Sequence, residues 1–183
     1  MKKENIDKKF REIHCGRCGI CCTEPVVPVT VSDVARLCKV LNVEPQKFVK
    51  FYTMDEIAFN AESEVWIKFK SGKKAMGLKK RAARCMFLSS TISCKVYAQR
   101  PMTCRTFPYM IEFDEQGNPQ RVRKNNIVDC KSSRKGLSHL DTVVSNVRIE
   151  LNEDEAYYEK IREWNSQEIA GNEPDFFKFM GLI

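Results

Sequence analysis

Cys15-Gly16-Arg17-Cys18-Gly19-Ile20-Cys21-Cys22 packs four cysteines into eight residues. A thiolate is a strong, soft ligand, and several converging thiolates select zinc or an iron–sulfur cluster over magnesium or calcium. Gly16 and Gly19 separate the sulfurs where the chain must turn tightly and let amide N–H groups approach them. The C-x2-C-x2-C portion has the spacing that seats three thiolates on one iron–sulfur cube, the fourth ligand coming from elsewhere. Cys22 is the unusual member. In an extended segment neighbouring side chains point to opposite sides. Cys21 and Cys22 are therefore expected to face two metal positions, or to divide so that one ligates while the other bridges or stays free.

Four more cysteines follow as Cys85-x8-Cys94-x9-Cys104-x25-Cys130. These gaps are too irregular for paired zinc knuckles and suit a site assembled from several loops. The two sets can interleave, with Cys22 completing a site made mainly by the downstream cysteines, and spacing leaves that assignment open. The candidate metal ligands are Cys15, Cys18, Cys21, Cys22, Cys85, Cys94, Cys104 and Cys130. Arg17, Arg84, Arg100 and Arg105 lie beside them in sequence. Arg100 and Arg105 are the candidates for cofactor-binding neighbours, where guanidinium donors would neutralise thiolates and lower their pKa. Capping of local carbonyls by the same two side chains is the competing reading. His14 is read as a neighbour of the ligands rather than as one of them.

The 183 residues are 43% hydrophobic and 30% charged, ordinary values for a globular protein and enough for one core. No stretch approaches the ~18 apolar residues of a membrane span. The N-terminus, MKKENIDKKF, lacks the apolar segment of a secretory signal, so a reducing cytoplasm is expected, where disulfides are rare. Nine cysteines also cannot pair completely within one chain. Net charge is +7, and the segment 68–84 carries Lys68, Lys70, Lys73, Lys74, Lys79, Lys80, Arg81 and Arg84 with no acid among them. Such a run fits an acidic protein partner, or a hairpin edge guarded by lysines. No aromatic stacking pattern accompanies it, so nucleic acid is not the expected partner. With His14 and His139 the only histidines, a Ser-His-Asp centre has little material.

Thr30, Ser32 and Asp33 offer N-cap chemistry to a helix whose apolar stripe is Val34, Leu37, Cys38 and Leu41. Cys38 lies on that stripe and reads as a small core hydrophobe. A second short helix is expected from Pro45, with Phe48, Val49, Phe51 and Tyr52 supplying bulk. Val65, Ile67 and Phe69 alternate with polar or interfacial residues as in a half-buried strand. It turns at Ser71-Gly72 and returns through Ala75 to Leu78. Ile111, Phe113 and Val122 flank a second hairpin turn at 114–119. Leu140, Val143, Val144, Val147 and Leu151 form a helical stripe, and Tyr157, Ile161 and Trp164 continue it or begin another helix. A last short helix follows Pro174. The expected fold is α+β: a single small domain over 1–183, helices around short β-hairpins and a loop-built cysteine centre, with a motif-bearing core at 14–135 and a helical C-terminal extension at 136–183.

The cysteine run followed by Cys94-Lys-Val-Tyr-x2-Arg100-Pro101-x2-Cys104-Arg105-x-Phe107-Pro108 resembles the YkgJ-like cysteine-cluster family, whose relatives include flagellin lysine N-methylase. The resemblance spans about residues 14–135, and Cys85 and Cys130 also fall where that family places cysteines. It departs at Lys131-Ser132, where proline and glycine are common. What it implies is zinc or iron chelation, with iron–sulfur, of the 4Fe-4S kind, favoured through the methylase relative. It hands over no reaction. The C-x3-C-x2-C spacing of radical S-adenosylmethionine proteins is missing, as are the glycine-rich dinucleotide and phosphate loops. The leading expectation is thus an iron–sulfur protein with a redox role and an unidentified redox partner. A zinc-stapled interaction or metal-handling module comes second, and a methyltransferase-like modification enzyme third.

Overall fold

A computed structural model describes residues 18–23, 26–57, 59–125, 140–168 and 170–183. Its elements are α1 (Val31–Leu41), β1 (Val49–Tyr52), β2 (Ile67–Phe69), β3 (Gly72–Leu78), β4 (Lys80–Arg81), β5 (Arg84–Cys85), α2 (Met102–Thr106), β6 (Tyr109–Phe113), β7 (Pro119–Lys124), α3 (Leu140–Asn165) and α4 (Glu173–Phe179). Short 3-10 turns occupy Ile20–Cys22, Pro45–Lys47 and Tyr97–Gln99. The architecture is α+β, with a three-stranded antiparallel sheet in the order β1-β3-β2 and two separate hairpins, β4–β5 and β6–β7.

α1 begins at Thr30, whose hydroxyl accepts from Asp33 N while the Asp33 carboxylate accepts from Thr30 N, a reciprocal capping box. Val34 and Leu37 are fully buried and Cys38 packs at the core margin, as the stripe predicts. The helix expected from Pro45 is a single 3-10 turn. Val49–Tyr52 is extended instead and pairs with Leu78–Ala75 of β3. Its aromatic and β-branched residues gain more by packing on a pleated surface than by continuing a helix.

β3 is the organising strand. Gly72–Lys74 pair with β2 and Ala75–Leu78 with β1. The chain leaving the cysteine run also lies against it: Leu78 N donates to Val27 O at 2.9 Å and Val29 N to Met76 O at 3.4 Å. Gly77 makes that approach possible, because a Cβ there would lie 2.5 Å from Val26 Cγ1.

The main core is aromatic. Phe176 of α4 is fully buried and meets Trp164, Phe69 and Phe51 edge-on, with ring centroids 5.2, 5.7 and 5.8 Å away. Such edge-to-face pairs add to the burial energy of the rings themselves. α3 is one continuous helix of 26 residues, about 39 Å long at the usual helical rise. Its first half packs Val143, Val144 and Val147 on the β6–β7 hairpin, and its second half sends Tyr157, Ile161 and Trp164 into the main core. Leu151, expected on the buried stripe, is 52% exposed instead. The Asn165 side chain extends the sheet, accepting from Lys68 N at 2.7 Å and donating to Trp66 O at 2.8 Å. This covers the free edge of β2. α4 carries its own capping box, between Asn172 and Asp175.

Phe176→Ala should cost about 3–5 kcal/mol, the usual range for emptying a buried aromatic site. Urea unfolding of the metal-loaded protein measures it, and a loss under about 1 kcal/mol would remove Phe176 from the centre of the core.

Candidate metal centre

The first cysteine run is described from Cys18. Gly19 sits in the left-handed region (φ 74°), and Ile20–Cys22 close a 3-10 turn in which Cys22 N donates to Gly19 O at 2.9 Å. The Thr23 hydroxyl ties the turn off by donating to Ile20 O at 2.8 Å. The segment is therefore not extended, and Cys21 and Cys22 do not diverge as alternation would have them. Their thiols lie near enough to shift each other's acidity in opposite directions.

The second set sits on three loops. β4 and β5 pair Lys80 with Cys85 and Arg81 with Arg84. The two linking residues, Ala82 and Ala83, both have positive φ (49° and 61°), a conformation that asparagine and glycine adopt far more easily. Cys94 then bridges back to Leu88 across a loop braced by Ser89, Thr91 and Ser93, with Ser89 Oγ 2.7 Å from Ser93 Oγ. Cys104 lies in α2. There the Asp33 carboxylate reaches across from α1 to accept from Met102 N at 2.9 Å.

Arg100 and Arg105 brace this last loop. Arg100 lies over the Tyr97 ring at 4.0 Å and donates to Tyr97 O (2.7 Å) and Cys104 O (3.1 Å). Arg105 donates to Arg100 O (3.0 Å) and Ala98 O (2.6 Å). Both guanidinium groups thus cap carbonyls of the segment joining Cys94 to Cys104. Cys15, Cys130, His14 and Arg17 lie outside the described residues.

Cys18, Cys21, Cys22, Cys85, Cys94 and Cys104 are all half-buried free thiols. Cys85, Cys94 and Cys104 also pack against the main core. Five of them sense one another. The Cys22 thiol beside Cys21 lowers the Cys21 pKa to about 7, and the same pairing together with burial pushes Cys22 up. Burial pushes Cys104 well up, and the charges of Cys21, Cys85, Cys94 and Asp33 push it further. Burial likewise raises Cys85, while the Phe87 N–H partly opposes it. Among the described residues, however, no three cysteine, histidine or carboxylate side chains converge on one point closely enough to hold a metal ion. The thiols lie within each other's field without forming a closed ligand set. The donor set still fits a thiophilic metal or cluster, whose positive charge would displace the thiol protons and relieve the mutual repulsion.

Gly19 is where the two sets touch. A Cβ on it would stand 2.5 Å from Ile92 Cγ2 and 3.6 Å from Leu88 Cδ1, so only glycine lets the first run approach the loop between Cys85 and Cys94. Neither this contact nor the tie from Asp33 to α2 has a sequence signal, because each joins residues about seventy positions apart.

Gly19→Ala should cost about 1–2 kcal/mol from the left-handed backbone alone, and more from the clash. Adding Ile92→Ala should recover only the clash. Metal retained per chain and thermal unfolding of the two variants check this, and a fully restored double variant would contradict the backbone share. In metal-free protein Cys21 should alkylate with a midpoint near pH 7, ahead of Cys22 and Cys104. Iodoacetamide labelling read by peptide mass spectrometry tests that order.

Among the described residues no helix is long and apolar enough to cross a membrane. Comparison with known proteins gives no matching solved structure. An uncharacterized protein of Methanocaldococcus jannaschii, MJ0661, is 31% identical over 100 residues, covering 54% of this chain and 46% of that protein. The chain thus spans about half the length of the curated relative it matches. Residues 14–132 match the model of a family described as "Putative zinc- or iron-chelating domain", a segment that includes every candidate cysteine ligand. On that match the chain belongs to the CxxCxxCC family of metal-chelating domains.

Proposed function

We propose that this protein carries an iron–sulfur cluster, of the 4Fe-4S kind, and serves a redox role. What supports this reading is that Cys21, Cys22, Cys85, Cys94 and Cys104, half-buried on separate loops, lie near enough for their charges to act on one another. A 4Fe-4S cluster takes four thiolates, to be drawn from these five together with Cys15, Cys18 and Cys130. When bound, such a cluster supplies one-electron transfer at a potential set by its charge, burial and hydrogen bonds. The chain's own contribution is positional. Arg100 and Arg105 hold the carbonyls around Cys104, Gly19 lets the first run close on the second loop, and Phe87 and Val96 exclude water.

An acidic redox partner fits the basic face. Lys74 pairs with Glu173 at 2.8 Å and Lys79 donates to Gln46 O at 2.6 Å, so these lysines serve the fold. Lys68, Lys70, Lys73, Arg81 and Arg84 are exposed, and Arg81 and Arg84 stand on the hairpin that ends in Cys85. A zinc staple is the second reading. It is favoured by the two-residue ladder of β4–β5, which is too short to hold the Cys85 loop by itself.

Anaerobic purification should yield a brown protein with matching iron and acid-labile sulfide and a paramagnetic signal on reduction. Cys104→Ser should lose most of the iron while α1 and α3 keep their helicity by circular dichroism. A colourless, iron-free protein with one zinc per chain would replace the iron–sulfur reading with the zinc staple.

A further inference from the structure

α3 turns one seam toward the rest of the molecule: Val143, Val147, Glu150, Asp154, Tyr157, Ile161 and Trp164, spaced alternately four and three residues apart. That is the spacing of a buried helix face. Five of these positions are buried, but the two central ones are acids. Asp33 and Glu153 nearby share Arg36, whose Nη1 is 3.5 Å from Glu153 Oε1 and whose Nη2 bonds Asp33. Glu150 and Asp154 have no cationic partner among the described residues. Burial pushes Glu150 up to about 7, against a lowering contact from the Thr106 side chain, and Asp154 up to about 6, with neighbouring acids adding to both.

The two carboxyls line a cavity of about 120 Å³ between α3, the start of α1 and the sheet. Phe59, Met76, Met102 and Tyr158 form apolar walls. Tyr157 also lines the cavity. It is only 7% exposed, and its buried hydroxyl has no hydrogen-bond partner. A buried hydroxyl without a partner is rare in a folded protein and points to a ligand or an ordered water. The volume is close to the ~150 Å³ that holds a benzene-sized molecule. An inorganic cation fits less well, because no three acidic, cysteine or histidine side chains converge here closely enough to hold one and the walls are apolar.

We propose that this cavity is a binding site for a compact primary alkylammonium, its nitrogen held between Glu150 and Asp154 and bonded to the Tyr157 hydroxyl, its alkyl chain against Phe59, Met76 and Met102. No cysteine lines this cavity, although Asp33, Met102 and Thr103 on its wall lie beside or just before Cys104.

The test titrates n-butylammonium into the metal-loaded full chain. Calorimetry reads the affinity, and 13C-methyl methionine NMR reads Met76 and Met102. The expected result is saturable one-to-one binding with shifts at those two methyls. The neutral isostere n-butanol should bind at least about tenfold more weakly, as loss of charged hydrogen bonds implies. Glu150→Gln with Asp154→Asn should weaken butylammonium by a similar factor. These neutral replacements relieve buried charge, so the variant should unfold at no lower urea concentration than the parent. Tyr157→Phe should cost a smaller factor. Equal affinity for butanol and butylammonium, a measurement that needs no variant, would overturn the proposal. So would undiminished butylammonium binding by the double variant, or methyl shifts elsewhere than Met76 and Met102.

Discussion

The Asp33 carboxylate joins the two halves of this molecule. It is 2% exposed, and it accepts from Thr30 N at the start of α1 and from Met102 N at the start of α2 while Arg36 pairs with it. Hydrogen bonds to a charged group each contribute about 1.5–3 kcal/mol net, and here they fix α2, with Cys104 on it, to the helix that anchors in the aromatic core. Burial raises the Asp33 pKa, and the two backbone N–H groups and the guanidinium pull against it. Removing those donors would leave a buried charge with no compensation, so the carboxylate needs α2 as much as α2 needs the carboxylate.

That tie explains a division of labour. Regular structure is concentrated away from the cysteines, in the three-stranded sheet, α1, α3 and α4, where aromatic side chains interlock. The cysteine loops have little of their own: a two-residue ladder, a single bridge and a five-residue helix. They are fastened by side chains that satisfy backbone groups, notably Asp33, Arg100, Arg105 and the serines around Ser89. A site built this way brings thiols from distant parts of the chain into each other's electrostatic field, and it leaves them partly exposed to solvent.

Much of this was readable from the sequence. Local signals were the most legible: the capping residues of α1, the alternation of β2, the hairpin at 114–119 and the start of α4 near Pro174 all follow from chemistry within a few residues. Val49–Tyr52 misled because a proline start and bulky residues suit either a helix or a strand, and only the partner strand β3 decides. For Cys21 and Cys22, spacing announced the chemistry but not the geometry, since a 3-10 turn rather than an extended segment sets their directions. Glu150 and Asp154 stood in plain view as two acids on an otherwise apolar seam. Reading them required knowing that the helix runs unbroken through both. The positive φ values at Ala82 and Ala83 have no signal in their residue types, which argue against that turn.

The order of elements along the chain has a consequence for biosynthesis. Trp164, Phe176 and Phe177, which complete the main core, follow Cys18, Cys21 and Cys22 by more than 140 residues. Until those side chains arrive, the sheet lacks the aromatic face that packs on it. The first thiols are therefore synthesised well before the core against which Cys85, Cys94 and Cys104 pack can close.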